Sequence, residues 1–99
     1  MAFNVVFEQS AIDDLDNAIA YHLKQSVAKA KRLDEEVAKA VAVLEHNPWF
    51  AVRYDGVSCL PLGKKLTYML HFTVDEANQM VYVFALFNTL QNPEKYPKY

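Results

Sequence analysis

The sequence predicts an α+β domain in the order β-α-α-β-β-β: a small antiparallel sheet with an N-terminal helical hairpin packed on one face. Three observations predict it. Apolar residues recur at helical spacing between Ala11 and His46, with one short break near Gln25. After Trp49 the apolar period falls to two. The links between segments are short, so neighbours in sequence must be neighbours in space. Such elements bury their apolar sides as two layers around one core.

Phe3-Asn4-Val5-Val6-Phe7 is short, β-branched and aromatic, and reads as a strand. Ser10 has the chemistry of a helix N-cap, with Asp13 three residues on. The first helix is expected from Ala11 to about Gln25. Its stripe is Ile12, Leu15, Ile19 and Leu23, with Ala11 and Ala18 beside it. Asp13, Asp14 and Asp16 fall in its first turns, where the helix dipole favours acids. A second helix is expected from Val27 to His46 on the stripe Ala30, Leu33, Val37, Val41 and Leu44. Asn47-Pro48 stops it, because proline cannot continue a helix and restricts the residue before it. The short gap between the helices forces them antiparallel.

Ala51 to Tyr54 is a short strand candidate, followed by the hairpin-turn pair Asp55-Gly56. Val57 to Leu62 is the next strand, and Pro61 points to an edge or a bulge. Leu66, Tyr68, Leu70, Phe72 and Val74 alternate with Thr67, Met69, His71 and Thr73 in a half-buried strand. Asp75 to Gln79 is a polar turn. Met80 to Phe87 is apolar on both faces, which marks a central strand.

The chain has 99 residues, the size of one domain, so 1–99 is expected to be a single domain with 91–99 a loosely held tail. Its composition, 53% hydrophobic and 22% charged, excludes a disordered or fibrous chain. Ten Lys and Arg against twelve Asp and Glu leave a net charge of −2, which weighs against a nucleic-acid binder working by bulk phosphate neutralisation. Cys59 is the single cysteine, so no internal disulfide or CxxC motif exists, and three scattered His make no metal site. No apolar run is long enough to span a membrane, and the N-terminus lacks the pattern of a signal peptide. The expectation is a cytoplasmic protein without cofactor or metal.

Several segments, taken in order, resemble the RelE/ParE superfamily of toxins from bacterial type II toxin–antitoxin systems. Ser10-Ala11-Ile12-Asp13-Asp14-Leu15, with Ala18 and Tyr21, is similar to that family's first helix. Leu60-Pro61-Leu62 followed by Lys64-Lys65-Leu66-Thr67-Tyr68 is similar to its "LPL…KKFPY" pattern. The stretch from Val83 to Tyr96 is similar to its "VLAVFHTSRDPEKW" ending. Four positions depart from the pattern. Ser58 stands where the family often has Arg, Asn88 where it has His, Gln91 where it has Arg, and Asn92 where it has Asp.

The resemblance implies one of two activities. One branch of the family cleaves ribosome-bound messenger RNA. That reaction needs a base for the 2′-hydroxyl, cations for the phosphate and an acid for the leaving oxygen. The other branch binds and poisons DNA gyrase and needs no catalytic groups of its own. In both, a small cognate antitoxin is the partner; a homo-oligomer stays open, and a membrane is not expected. If the protein is a ribonuclease, Lys64, Lys65 and Tyr96 are its catalytic candidates. The plainer reading of the two lysines is a solvated turn, and Tyr96 and Tyr99 also fit a role in covering a sheet edge. Tyr68 fits a core tyrosine with its hydroxyl at the rim, and His71, on the opposite face, fits a structural histidine. His22 and His46 are expected to face solvent.

Arg53 is the only arginine after the helices, so few rigid phosphate donors exist. The four neutral replacements, the acidic balance and the long helices together favour action by binding over catalysis. Target- or antitoxin-binding candidates are Arg53, Lys64, Lys65, Asn88, Gln91 and Trp49. A docking role for Trp49 and Phe50 competes with a place in the core. The alternatives are a ribonuclease with an altered site and a decayed, non-toxic family member.

Overall fold

The computed structural model describes residues 2–49, 52–54, 56–63 and 66–88, and for 52–54 the backbone only. The elements are β1 (Asn4–Phe7), α1 (Gln9–Leu23), α2 (Val27–His46), β2 (Val52–Tyr54), β3 (Val57–Pro61), β4 (Tyr68–Asp75) and β5 (Met80–Asn88). They form an α+β fold in which the α1–α2 hairpin packs on one sheet of five strands, ordered β1-β5-β4-β3-β2.

Three pairings are antiparallel, and the fourth is parallel: β1 runs beside β5 from Asn4 opposite Met80 to Phe7 opposite Val83. A parallel pair needs a crossover, and the helical hairpin begins that connection. β5 therefore has a strand on each side and is buried over much of its length, as its continuous apolar run requires. Between His71 and Phe72 the β4–β5 register shifts, with Phe84 as the extra residue. The bulge lets Val83 and Leu86 both join the helix-facing core, while Phe84 and Ala85 form a separate cluster with Val57.

The core between the layers is built from Leu33, Val37, Ala40 and Leu44 of α2, Ala11 and Ala18 of α1, and Leu60, Leu70, Phe72, Val81 and Val83 of the sheet. The face of α1 is rotated by about one residue from the expected stripe. Ala11, Ala18 and His22 are buried, Leu15 and Ile19 pack at the margin, and Ile12 and Leu23 are exposed. Alanines on the contact line let the helix lie close to the sheet, and the larger side chains flank that line. In α2, Ala40 takes the buried place expected of Val41 for the same reason.

Ser10 is not the N-cap of α1. The helix begins at Gln9 after Glu8, and the Ser10 hydroxyl donates to the Phe84 carbonyl at 2.6 Å. No acid lies in the first turn; Asp14 instead accepts from the Leu86 N–H at 3.1 Å. Both bonds use backbone groups of β5 beyond Val83, where β1 has ended. Helix side chains thus complete the strand's hydrogen bonding.

The turn between the helices is capped at both ends. Ser26 accepts from Lys29 N–H at 3.3 Å, and the His22 carbonyl accepts from Gln25 and Ser26. Asn47 ends α2, and its side chain accepts from Trp49 N–H at 3.1 Å. Pro61 sits on a strand with neighbours on both sides, so it marks neither the edge of the sheet nor a bulge in the described β3 pairings.

Candidate functional site

The end of α1, the start of α2 and the adjoining ends of β4 and β5 enclose a cleft of about 260 Å³. α1 contributes Tyr21 and His22, the turn Gln25, α2 Lys29, β4 Tyr68 and β5 Asn88. Tyr68 and Asn88 lie directly opposite each other in the ladder, so both point into the same opening. Among the described residues the cleft is lined by one ammonium group with amides and hydroxyls, and by no carboxylate.

His22 anchors it. The ring is 9% exposed, stacked edge-on with Tyr21 and Tyr68, and its Nε2 lies 3.2 Å from the Tyr68 hydroxyl oxygen. Its Nδ1 is buried with no hydrogen-bond partner among the described residues. A neutral imidazole has one N–H, and an orphaned buried donor is rarer than an under-used acceptor. In the tautomer with the proton on Nε2, the ring donates to Tyr68 and leaves the tyrosine's own O–H for the cleft. Burial first, and then Tyr21, push the Tyr68 pKa above its ordinary value, so the phenol keeps its proton at neutral pH. The arrangement presents hydrogen-bond donors rather than a base.

The expectation that His22 faces solvent is therefore corrected. The signal was present: Ala11, Leu15, Ala18 and His22 are spaced four, three and four apart, which is one helix face. His46 is exposed. Gln25 and Lys29 were not singled out in the sequence as site residues, and Tyr21 only for the first-helix resemblance, because only the hairpin's geometry brings them to the sheet end.

The opposite face of the sheet holds a second histidine. His71 is fully buried, with Nδ1 3.7 Å from the Cys59 sulfur and the rings of Phe84 and Phe87 edge-on at 6.3 and 5.6 Å. Burial lowers the His71 pKa to about 4 and raises the Cys59 thiol to about 11. Both groups are neutral at pH 7, so no thiolate–imidazolium pair forms, and neither is placed for acid–base or nucleophilic work.

Of the sequence-predicted binding residues, those the structure describes lie in different places. Asn88 is in the cleft. Trp49 is 41% exposed rather than in the core; it stands edge-on to Phe3 at 6.1 Å and shares a small pocket with Gly56 and Ser58. It follows the C-terminal end of α2, whereas the cleft lies near the N-terminal end, about 25 Å away along the helix axis. Arg53 pairs through its backbone with Ser58 on the sheet edge. Lys64, Lys65, Gln91, Asn92, Tyr96, Tyr99 and Phe50 lie outside the described residues, as does the tail expected over 91–99. Among the described residues no cluster of three ligands suits a metal, and no helix is long and apolar enough to cross a membrane.

Two solved structures share this architecture. A chain of the chromosomal ParDE TA system from P. aeruginosa superposes with a TM-score of 0.73 at 16% identity, over 88% of this chain and 96% of that one. A chain of the RelBE2 toxin–antitoxin complex from Mycobacterium tuberculosis gives 0.61 at 19% identity, over 89% and 99%. The fold is RelE/ParE-like. No protein-family model and no curated protein sequence matches the chain. The RelE/ParE-like likeness is thus carried by shape.

Proposed function

We propose that this protein is the toxin of a type II toxin–antitoxin system of the RelE/ParE kind, a single domain acting in the bacterial cytoplasm. It works by binding a target, DNA gyrase being the family precedent, and a small antitoxin neutralises it. The observation that carries the reading is the superposition of nearly the whole chain on chains from a ParDE system and a RelBE2 complex. Action by binding is supported by the chemistry of the described residues. The two buried groups of the far face, His71 and Cys59, are held neutral and out of reach of a substrate. The phenol of Tyr68 stays protonated. Contacts to target or antitoxin are assigned to Arg53, Lys64, Lys65, Asn88, Gln91 and Trp49.

The test is tightly controlled induction in bacteria, with and without the adjacent small gene. The expected result is growth arrest relieved by that gene, with filamentation and DNA damage while messages stay intact. Rapid loss of messages that disappears in Lys65→Ala and Tyr96→Phe would establish the ribonuclease alternative instead. Unaffected growth with folded protein present would remove the toxin reading.

A further inference from the structure

The bend between α1 and α2 carries charge of one sign. Between Asp16 and Asp34 lie Lys24, Lys29, Lys31 and Arg32 and no acid, in a chain whose net charge is −2. The same bend exposes the three least covered large apolar side chains among the described residues: Val27 at 69%, Tyr21 at 57% and Leu23 at 50%. Directly behind it is the cleft, with Lys29, Gln25 and the Tyr68 hydroxyl able to donate and, among the described lining residues, no carboxylate to compete for them. The deepest of these groups is fixed by the buried His22, whose free ring nitrogen is sealed from water.

We infer that the hairpin tip and this cleft form a docking site for an acidic, apolar-bearing peptide segment of a protein partner. One carboxylate seats against Lys29 and the Tyr68 hydroxyl, while apolar side chains of the segment cover Tyr21, Leu23 and Val27. This deepens the reading of the protein as a toxin working through protein partners, and rests on it. The charge fits such a segment because four cations with no acid between them attract an anion. The exposed aliphatic side chains Leu23 and Val27 beside the cations fit a polypeptide better than a single-stranded nucleic acid, for which the described tip offers one exposed aromatic platform, Tyr21. A second copy of the chain is disfavoured: a two-fold contact would place the cationic tip against itself.

The test is NMR titration of the full-length 15N-labelled chain with a short peptide alternating Glu with Leu, and in parallel with a short single-stranded RNA. The expected result is saturable shifts at amides of the tip, from Tyr21 to Arg32, and at Tyr68 and Asn88. Lys29→Glu with Lys31→Glu should weaken binding about tenfold, and added salt should weaken it further. Leu23→Ser with Val27→Ser should weaken it as well. These exposed substitutions leave the remaining spectrum in place, which separates lost binding from lost fold. Tyr68→Phe keeps the ring and should weaken binding a few-fold. Absence of saturation, shifts confined to other surfaces, tighter binding of the RNA, or self-association through the tip would each overturn the site. Growth arrest on induction reads the toxin assignment separately. Arrest without peptide binding removes the docking site alone, and binding without arrest removes the toxin reading alone.

Discussion

Replacing His71 by leucine should make the protein less sensitive to mild acid. The imidazole is fully buried beside the Cys59 sulfur and two phenyl rings, and burial holds its folded-state pKa at about 4 against 6.5 when solvated. Between those values the unfolded chain binds a proton that the folded chain refuses. Stability is therefore intact above 6.5 and is lost as the pH falls toward 4. Over the full interval the loss is about 3 kcal/mol at ~1.4 kcal/mol per pH unit, and by pH 5.0 about 2 kcal/mol of it is reached. Leucine fills a similar volume and cannot titrate. Urea unfolding, followed by far-UV circular dichroism and by the fluorescence of the single tryptophan, should be run at pH 7.5 and 5.0. The stability difference between the two pH values should shrink by about 2 kcal/mol in His71→Leu. The same difference in both proteins, or a His71 ring proton titrating near 6.5, would refute the account.

Three further outcomes follow from local geometry. Asp14→Asn keeps an oxygen for the Leu86 N–H and removes a charge that burial disfavours, so thermal denaturation should show little change; Asp14→Ala leaves that N–H without its partner and should cost about 1 kcal/mol. Gly63 sits at φ +61 with the Glu36 carboxylate 3.1 Å from where a Cβ would stand, whereas Gly56, at φ +77, opens on free space. Gly63→Ala should cost about 1–2 kcal/mol and more than Gly56→Ala, and adding Glu36→Ala should recover the excess but not the backbone strain. Cys59 is 2% exposed with its thiol pKa near 11, so it should resist an aromatic disulfide reagent in the native protein and react only at the rate of unfolding.

Much of the fold was legible because the apolar periods are clean. α2 spans Val27–His46 as its apolar stripe and Asn47-Pro48 stop require, and β5 begins at Met80 after the polar turn. The parallel β1–β5 pair was not legible, since periodicity marks a strand without naming its neighbour. The start of α1 was misread because Ser10 has cap chemistry, yet its hydroxyl is taken by Phe84, 74 positions away. His22 was misread by weighing residue type above helical phase. The cleft was illegible for a related reason. Its imidazole, first amide and cation come from α1, the turn and α2, whereas the Tyr68 phenol and the second amide come from strands reached only after the chain has doubled back. Of the candidate residues, Asn88 falls there, and Trp49 falls at the other end of α2.

The parallel edge also sets a timetable for biosynthesis. Asn4 emerges early from the ribosome, and its ladder partner is Met80. At ~5–20 residues per second the wait is roughly 4–15 s. The helical hairpin can pair within itself during that interval, but Leu33 and Leu44 have no sheet to cover them until β3, β4 and β5 arrive. The nascent chain thus shows an apolar face that the finished molecule hides. A partner translated alongside would meet that face before the sheet closes over it.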